Sequence, residues 1–330
     1  MQPQNEPRPR REFLRQLLRA AALAVGAGGL GFAFWDRRGP SPDDGGTAAA
    51  LLPDFSQAGQ SGKLAVVHGS DRAANVGTAL QALGTAGAFI KPGDRVLIKV
   101  NAAFATPPVL GATSHPDTVR RLIELCFQAG AARVDVTDNP INDPASCFEL
   151  SGLGPAVREA GARLLLPSAG RFEPYSLPDA RLIRHWPVMC GPLRQVDKVI
   201  GMAPVKDHHR SGASMTLKNW YGLLGGRRNI FHQQIYAIIA ELAQMVRPTL
   251  VILDGTWSMV SNGPTGGSLA DLKPTHTLIA GTDPVAVDTL GAALLGKTPA
   301  DLPYLLMAQK AGVGTTDYRS LKPVEMNAGG

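Results

Sequence analysis

The stretch KDHHRSGASMTLKNWYG, from Lys206 to Gly222, holds the sequence's densest group of side chains capable of acid–base chemistry. Two lysines, an arginine and two adjacent histidines follow the apolar run VIGMAPV. A lysine or histidine buried beside other cations has a pKa lowered toward neutrality, which suits general acid–base catalysis. Lys206 and His208 share one face of an extended chain, so we predict both as catalytic residues of one pocket, with His209 pointing away.

Lys218 and Asn219 follow in the same stretch, where Ser214 is a candidate helix cap. A lysine in the first turn opposes the helix dipole and gains nothing locally. An anion shared between Lys218 and the helix amides would explain its position, and Asn219 would help to orient that anion. The alternative interpretation is a solvated basic loop followed by an ordinary capped helix.

Two further strand ends carry polar side chains. Lys99 and Asn101 close RVLIKVN and project to the same face, and a lysine in a buried strand needs a partner. The alternative for Lys99 is a side chain that reaches solvent at the strand edge. Asp138 closes RVDVTD, where it would bind a ligand or form a turn with its own backbone. We predict all three as ligand-binding residues.

Asp254 follows the apolar run TLVIL and precedes the glycine-rich segment NGPTGG. We predict Asp254, Gly263 and Gly266 as ligand-binding residues, since glycines let backbone N–H groups approach an anion. The segment is neither a G-x-x-x-x-G-K-[ST] loop nor a G-x-G-x-x-G fingerprint. H-E-x-x-H and G-x-S-x-G are also absent, so zinc-protease and serine-hydrolase chemistry are not indicated.

Metal and cofactor identity stay open. Adjacent His208 and His209 are poorly placed for one ion, and His115 and His232 are candidates only if the fold brings them together. The cysteines lie far apart without C-x-x-C, so no structural zinc site or iron–sulfur cluster is expected, although a metal or organic cofactor is possible. Either one disulfide or buried free thiols would account for them: Cys126, Cys147 and Cys190.

The elements that must position these residues alternate between strands and helices. Strands are predicted at 63–68, 95–100, 133–137, 162–166, 198–203, 250–253 and 277–280. Helices are predicted at 73–86, 116–129 (with Ser114 as a candidate cap), 145–160, 215–224, 231–245, 285–295 and 302–311. This alternation predicts an α/β fold, a three-layer, mostly parallel sheet flanked by helices. Ligands of such sheets bind beyond the carboxyl ends of the strands.

The N-terminus resembles a bacterial twin-arginine signal. Arg10 and Arg11 precede the apolar segment Ala20–Trp35, although Pro9 stands where Ser or Thr is usual. The resemblance implies a periplasmic or other extracytoplasmic protein carried by the twin-arginine export machinery, a route known for moving folded proteins, often with a cofactor inside. The alternative is an uncleaved amphipathic anchor that tethers the protein to a membrane through residues 13–35.

We therefore divide the chain into a signal or anchor (1–38), a flexible linker (39–62) and an α/β domain (63–330). The α/β domain could consist of two lobes. The formal net charge is +6, without long Lys/Arg runs or an aromatic–basic stripe. This is weak support for an anionic ligand and gives no indication of nucleic-acid binding.

Five motifs in order resemble the bacterial and archaeal family catalogued as domain of unknown function 362. They are IKVN, SHPDTVRRLIELCFQAGA with VTDNP, KDHHRSGASMTLKNWYG, LDGTWSMVSNGPTGG and GTDPVAVDTLGAALLG. The resemblance spans roughly residues 63–314, and K-x-H with T-x-K-N-x-x-G is its most specific part. Many relatives carry a cysteine-rich ferredoxin-like module that is absent here, so iron–sulfur binding is not implied.

A fainter resemblance, to the nickel-pincer lactate racemase family, rests only on Lys206, His208 and Lys218. It implies a tethered cofactor and 2-hydroxy acid chemistry.

Together these features predict an exported protein that binds an anionic small molecule or cofactor in one cationic pocket, with Lys/His acid–base chemistry if it is an enzyme. A shared site requires Lys99 and Lys218 within about 15 Å of each other. One alternative is a non-catalytic periplasmic metal- or cofactor-binding or maturation protein. Another is a membrane-tethered structural protein, which would have no ordered pocket at the strand ends.

Overall fold

The computed structural model describes residues 10–33 and 50–329, which belong to two units, 1–44 and 45–330. In the first unit the described residues form one helix, α1 (Arg10–Ala33), and Arg10 and Arg11 begin it. No helix within the described ranges is both long and apolar enough to cross a membrane. The rest of the predicted signal, including Pro9 and Trp35, lies outside the described residues.

The second unit alternates strands with helices. Its strands are β1 (Leu64–His68), β2 (Arg95–Lys99), β3 (Arg133–Thr137), β4 (Arg163–Leu165), β5 (Glu173–Tyr175), β6 (Trp186–Val188), β7 (Lys198–His208), β8 (Gly212–Ser214), β9 (Leu250–Met259), β10 (Leu272–Gly281) and β11 (Val324–Asn327). Its α-helices are α2 (Arg72–Ala82), α3 (Pro116–Gln128), α4 (Pro144–Leu150), α5 (Leu153–Glu159), α6 (Cys190–Arg194), α7 (Thr216–Asn219), α8 (Ile235–Met245), α9 (Pro284–Leu294) and α10 (Pro303–Lys310).

The main sheet is mostly parallel. Its strand order is β11-β1-β10-β9-β7-β2-β3-β4, and the short β8 pairs with the end of β7. The run β9-β7-β2-β3-β4 is parallel throughout, as is β11 with β1, whereas β10 runs antiparallel to both neighbours and β8 runs antiparallel to β7. β5 and β6 form a separate antiparallel pair. The predicted α/β fold class is confirmed.

Helices cover both faces of the sheet. Side chains of α2 to α5 pack with one set of strand residues, exemplified by Ile98 and Ile252, while those of α6 to α10 pack with the other set, exemplified by Leu97 and Leu253. Successive residues of a strand point to opposite faces, so each buried strand contributes to both cores. This arrangement makes the three layers that the sequence predicts.

Several strands and helices differ from their predicted lengths, and four of the differences bear on the site or on the chain path. β7 and β9 continue several residues past Ala203 and Leu253, because both of their faces stay buried beyond the predicted ends. The helix predicted at 145–160 is divided at Gly152, whose φ of 72° is left-handed and ends α4. The helix predicted at 215–224 is α-helical only over α7 and continues as a 3₁₀ segment.

Ser114 does not cap α3. His115 is the N-cap residue, and its Nδ1 accepts a hydrogen bond from the Asp117 N–H at 3.3 Å. The Ser114 hydroxyl instead accepts from the Asn101 N–H at 2.9 Å and donates to the Met202 carbonyl at 3.2 Å. Ser114 therefore ties the end of β2 to β7, which holds Asn101 in place.

The stretch predicted as a linker, 39–62, is described from residue 50 onward. Within it, Phe55 is buried in the core. Its N–H donates to the Arg247 carbonyl at 3.0 Å, and its carbonyl accepts from the Thr249 hydroxyl at 2.8 Å. These contacts fix this segment beside the start of β9. The three cysteines are buried and unpaired.

Candidate functional site

A cavity of about 270 Å³ opens where β2, β3 and β7 end. That volume is enough for a small organic or inorganic ion. Its position follows the rule that ligands of parallel sheets sit beyond the carboxyl ends of the strands. Seven of the predicted site residues line it: Lys99, Asn101, Asp138, Lys206, His208, Lys218 and Asn219.

The cavity wall is strongly cationic. Its lining includes three lysines, Lys99, Lys206 and Lys218, together with Arg228. Asp138 supplies the single carboxylate among the lining residues. Four basic groups against one acidic group leave an excess of positive charge in a partly desolvated space, where electrostatic interactions are stronger than in water.

Asp138 neutralises Lys99. The Lys99 Nζ lies 2.7 Å from Asp138 Oδ1, and both side chains are almost fully buried. The other carboxylate oxygen of Asp138 accepts from the Ala102 N–H at 2.7 Å, and Oδ1 also accepts from the Asn139 N–H at 2.9 Å. Burial lowers the pKa of Lys99, and Asp138 opposes that shift. Asp138 thus pairs with Lys99 and accepts from neighbouring backbone N–H groups, including that of the next residue, while its predicted contact with a ligand stays a prediction.

The Asn219 side-chain amide joins Lys99 to Asn101 and to the backbone of β7. Its Oδ1 accepts from Lys99 Nζ at 2.9 Å and from Asn101 Nδ2 at 3.4 Å. Its Nδ2 donates to the Lys99 and Met202 carbonyls, each at 3.1 Å. Because the amide is fully engaged by the protein, Asn219 fixes the geometry of the wall, whereas the sequence assigned it to the ligand.

Gly222 makes room for the Lys99–Asp138 pair. A Cβ at this position would lie 1.9 Å from Asp138 Oδ1 and 2.6 Å from Lys99 Nζ. Its carbonyl accepts from the Asn139 N–H at 3.0 Å. A glycine is therefore required here by the close approach of buried charged atoms.

Lys206 is buried, and no carboxylate in residues 10–33 or 50–329 pairs with it. Its side chain is 1% exposed, and its Nζ donates to the Ala112 carbonyl at 2.5 Å and to Asn101 Oδ1 at 3.4 Å. The Nζ lies 5.3 Å from the centre of the Phe104 ring. Burial, then the charge of Lys218, lower the pKa of Lys206 to about 7, so a large fraction of this amine is unprotonated at neutral pH.

Lys218 and Arg228 also lack carboxylate contacts among the described residues. The Lys218 Nζ lies 5.2 Å from the centre of the Tyr221 ring, and burial lowers its pKa to about 8, with Arg228 as the next cause. Within the described part of the chain, Arg228 donates to four backbone carbonyls, two of them those of Asn139 and Pro140 at 2.7 and 2.8 Å. Both cations keep their charge available to a ligand.

His208 is held as a hydrogen-bond donor toward the cavity. Its Nδ1 accepts from the backbone N–H groups of Arg210 at 3.1 Å and Ser211 at 3.3 Å. Because an N–H group only donates, these contacts assign the ring proton to Nε2. Burial, followed by the charge of Lys218, lowers the pKa of His208 to about 2. His208 therefore stays neutral and offers no free lone pair to accept a proton.

His232 has the opposite tautomer. Its Nδ1 lies 3.1 Å from the Asn229 carbonyl, which only accepts, so Nδ1 carries the proton and Nε2 keeps its lone pair. Its ring stacks 6.1 Å from His208, and it also lines the cavity. Burial and then the charge of Lys218 lower its pKa. Of the two, His232 is the residue that can accept a proton.

His209 does not point away from the cavity. Its ring stacks on His208 with centroids 5.0 Å apart, and it is among the lining residues. The expectation failed because β7 ends at His208, and the turn that follows breaks the alternation of an extended chain. The His209 Nδ1 lies 3.3 Å from the Gly263 carbonyl.

A carboxylate from a distant helix caps α7. Ser214 lies in β8, and the N-cap position, Met215, makes no side-chain cap. Asp288 of α9 instead accepts from the N–H groups of Thr216 at 2.9 Å and Leu217 at 3.0 Å. Asp288 is fully buried, and burial raises its pKa to about 7. It positions the helix that carries Lys218.

Asp254 lies away from the cavity. It sits inside β9 with the parity of Ile252, so it faces the side of the sheet covered by α2 and α3. There it pairs with Arg72 at 3.1 Å and accepts from the Thr118 hydroxyl at 2.8 Å. The predicted ligand role is not supported by this placement.

Gly263 and Gly266 are beside the cavity without lining it. The two residues between them, Pro264 and Thr265, form part of its wall. A Cβ at Gly263 would lie 1.9 Å from the Asp207 carbonyl oxygen, so this glycine serves the packing of the segment against the end of β7.

Sequence reasoning missed three lining residues of consequence: Tyr221, Arg228 and His232. Tyr221 and Arg228 lie within or just after the KDHHRSGASMTLKNWYG stretch, but no motif marks them. His232 was named only as a conditional metal ligand, together with His115. The structure places His115 at the start of α3 beside Asp117, at 3.5 Å.

No cluster of three or more His, Cys, Asp or Glu side chains suited to a metal ion occurs in residues 10–33 and 50–329.

The fold and the cavity define an α/β protein with a cationic small-ligand cavity at the carboxyl edge of its sheet. The chain belongs to the family described as Domain of unknown function (DUF362), whose profile matches residues 96–293. It is similar to the thylakoid-associated protein sll1697 of Synechocystis sp. (strain ATCC 27184 / PCC 6803 / Kazusa). The two are 27% identical over 252 residues, which cover 74% of this chain and 76% of that protein.

Among solved structures, the chain is similar to the lactate racemase apoprotein from Thermoanaerobacterium thermosaccharolyticum. The alignment covers 62% of this chain and 52% of the racemase chain. The identity is 14% and the TM-score 0.33, a likeness too low to carry a conclusion about function.

Proposed function

We propose that the cavity binds a small anionic molecule, and that this ligand is the substrate or cofactor on which the protein acts. The observation that carries the proposal is the charge imbalance of the wall. Asp138 is committed to Lys99, which leaves Lys206, Lys218 and Arg228 without a carboxylate partner among the described residues.

Buried cations without counter-charges are costly, and the lowered pKa values of Lys206 and Lys218 express that cost. A bound anion supplies the missing charge. An anion that contacts both lysines also brings both back to their protonated forms, because an opposite charge nearby raises the pKa of an amine. The free-energy cost of burying these cations is therefore offset when an anionic ligand binds.

The neighbouring histidines favour an enzyme over a simple carrier. His208 presents an Nε2–H donor, while His232 presents an unprotonated Nε2, and their rings stack 6.1 Å apart. A donor beside an acceptor is the arrangement required for moving a proton on a bound substrate. We therefore assign the role of base to His232 and a hydrogen-bonding role to His208, in place of the acid–base role predicted for His208 from the sequence.

Isothermal titration calorimetry with oxalate and with phosphate tests anion binding at pH 6.5. We expect Lys218→Met to weaken binding at least about tenfold, since one unscreened charge contact in a desolvated site contributes more than about 1.4 kcal/mol. Lys91→Met, an exposed lysine outside the cavity lining, is the matched control. Equal affinity of wild type and Lys218→Met, or no binding of either anion, would remove the basis of the proposal.

We further propose that the protein is exported by the twin-arginine machinery and acts outside the cytoplasm. Support comes from Arg10 and Arg11 before an apolar segment, and from the relative whose name describes it as thylakoid-associated. Replacing both arginines by lysine should leave the protein in the cytoplasmic fraction of its host. An unchanged distribution between cytoplasmic, membrane and periplasmic fractions would argue against this route.

A further inference from the structure

The three cavity lysines have different surroundings. Lys99 is paired with Asp138 at 2.7 Å, and that contact favours its charged form. Lys206 and Lys218 each lie over an aromatic ring, Phe104 at 5.3 Å and Tyr221 at 5.2 Å, so the rings do not distinguish these two lysines. Lys206 contacts no carboxylate of the described residues, and two neutral oxygens, those of Ala112 and the Asn101 side chain, receive its hydrogens.

An unprotonated amine has two hydrogens and one lone pair. At Lys206 the two acceptor oxygens suit the two hydrogens, so the lone pair is left without a protein partner. Lys206 is a lining residue of the cavity, so a molecule bound there lies beside its side chain. The neighbouring positive charges disfavour protonation, as in enzymes that activate a lysine nucleophile.

We infer that Lys206 is a nucleophile that forms an imine with a small anion carrying an aldehyde or ketone group, such as a 2-oxo acid. This inference rests on the proposed function, because the anionic part of that molecule must be held by the cationic wall. Lys218 would hold the carboxylate beside the positive charge of Arg228, whose terminal N–H groups already donate to backbone carbonyls. The neutral carbonyl group of the ligand then faces Lys206, so the amine there stays unprotonated.

The reaction needs no reagent beyond the two partners. The Nζ lone pair attacks the carbonyl carbon, and the carbonyl π electrons move to the oxygen, giving a carbinolamine once one Nζ proton reaches that oxygen. The carbon–oxygen bond then breaks, the second Nζ proton leaves with the oxygen, and water and a neutral imine are formed. The Nε2–H of His208 is available to stabilise the developing oxyanion.

Reductive trapping of the full-length protein tests the inference directly. The protein is incubated with glyoxylate and sodium cyanoborohydride at pH 7.5, digested, and mapped by mass spectrometry for carboxymethyl-lysine. We expect Lys206 to be modified at least about tenfold faster than the exposed Lys91, because burial and the positive charges around Lys206 keep its amine unprotonated and the cavity holds the aldehyde beside it. The rate at Lys206 should rise with pH and level off above pH 8.

Two comparisons make the outcome decisive. Oxalate, which resembles a 2-oxo acid but carries no aldehyde or ketone, should protect Lys206 and leave Lys91 unaffected. Modification of Lys206 no faster than Lys91, while oxalate still binds by calorimetry, would overturn the imine inference and leave the proposed function standing. Absence of both adduct and oxalate binding would defeat both. Lys206→Met, checked for folding by circular dichroism, should lose the fast adduct.

Discussion

The anion affinity of the cavity should fall steeply as pH rises from 6 to 9. In the ligand-free protein the pKa of Lys206 is lowered to about 7 and that of Lys218 to about 8, with burial as the largest cause of each. A bound anion raises both pKa values, so binding above pH 7 must be accompanied by proton uptake. Because binding takes up protons, the affinity for the anion must decrease as the pH increases.

The size of the effect follows from the two values. If oxalate binds only the doubly protonated form, that form falls from about 90% of the protein at pH 6 to about 0.1% at pH 9. The dissociation constant then rises about 1,000-fold, equivalent to about 4 kcal/mol. Lys218→Met should reduce this rise to about 100-fold or less, and it should move the remaining midpoint upward, because the charge of Lys218 helps to lower the pKa of Lys206.

Calorimetry of oxalate binding in two buffers of different ionisation enthalpy measures both quantities. The affinity gives the pH dependence, and the difference in apparent enthalpy gives the number of protons taken up. We expect uptake near zero at pH 6 and approaching two above pH 8.5. Affinity that is constant within threefold between pH 6 and 9, or that increases with pH, would refute the assignment of the two lysines as the titrating ligand contacts.

Two substitutions test how the wall is built. Gly222→Ala should abolish oxalate binding and lower the melting temperature, because the added Cβ would lie 1.9 Å from Asp138 Oδ1. In the control variant Gly170→Ala the added Cβ has no atom within 4 Å, so binding and melting temperature should not change. Equal behaviour of the two variants would contradict the packing argument. Asp288→Asn should cost about 1–3 kcal/mol of unfolding free energy and weaken oxalate binding through α7. Asp135→Asn, also buried but paired with arginines away from the cavity, should cost stability alone, and weakened binding in both variants would count against a specific role for Asp288.

The fold was predictable because its signals are local. Apolar runs bounded by turn residues indicate buried strands, and Pro144, Pro284 and Pro303 mark helix starts. Lys99, Asp138 and Lys206 were predictable for a related reason, since a charged side chain at the end of a buried strand calls for a partner. Their gathering into one cavity then follows from a parallel sheet.

What the sequence could not indicate is which face each strand end presents. Asp254 and Lys99 both close apolar runs, but the alternation of β9 turns Asp254 toward α2 and α3. Tautomers are equally hidden, because they depend on the backbone groups that contact each ring, as for His208 and His232. Arg228 is positioned at the cavity by hydrogen bonds to backbone carbonyls, and no sequence pattern predicts such contacts.

The most direct test of the cationic cavity is a crystal soaked in selenate at pH 6.5 and measured at the selenium absorption edge. We predict the strongest anomalous peak inside the cavity, within hydrogen-bonding distance of Lys218 and at least one of Lys206 and Arg228. Selenate found only on the outer surface, with the cavity free of anomalous density at saturating concentration, would contradict the account.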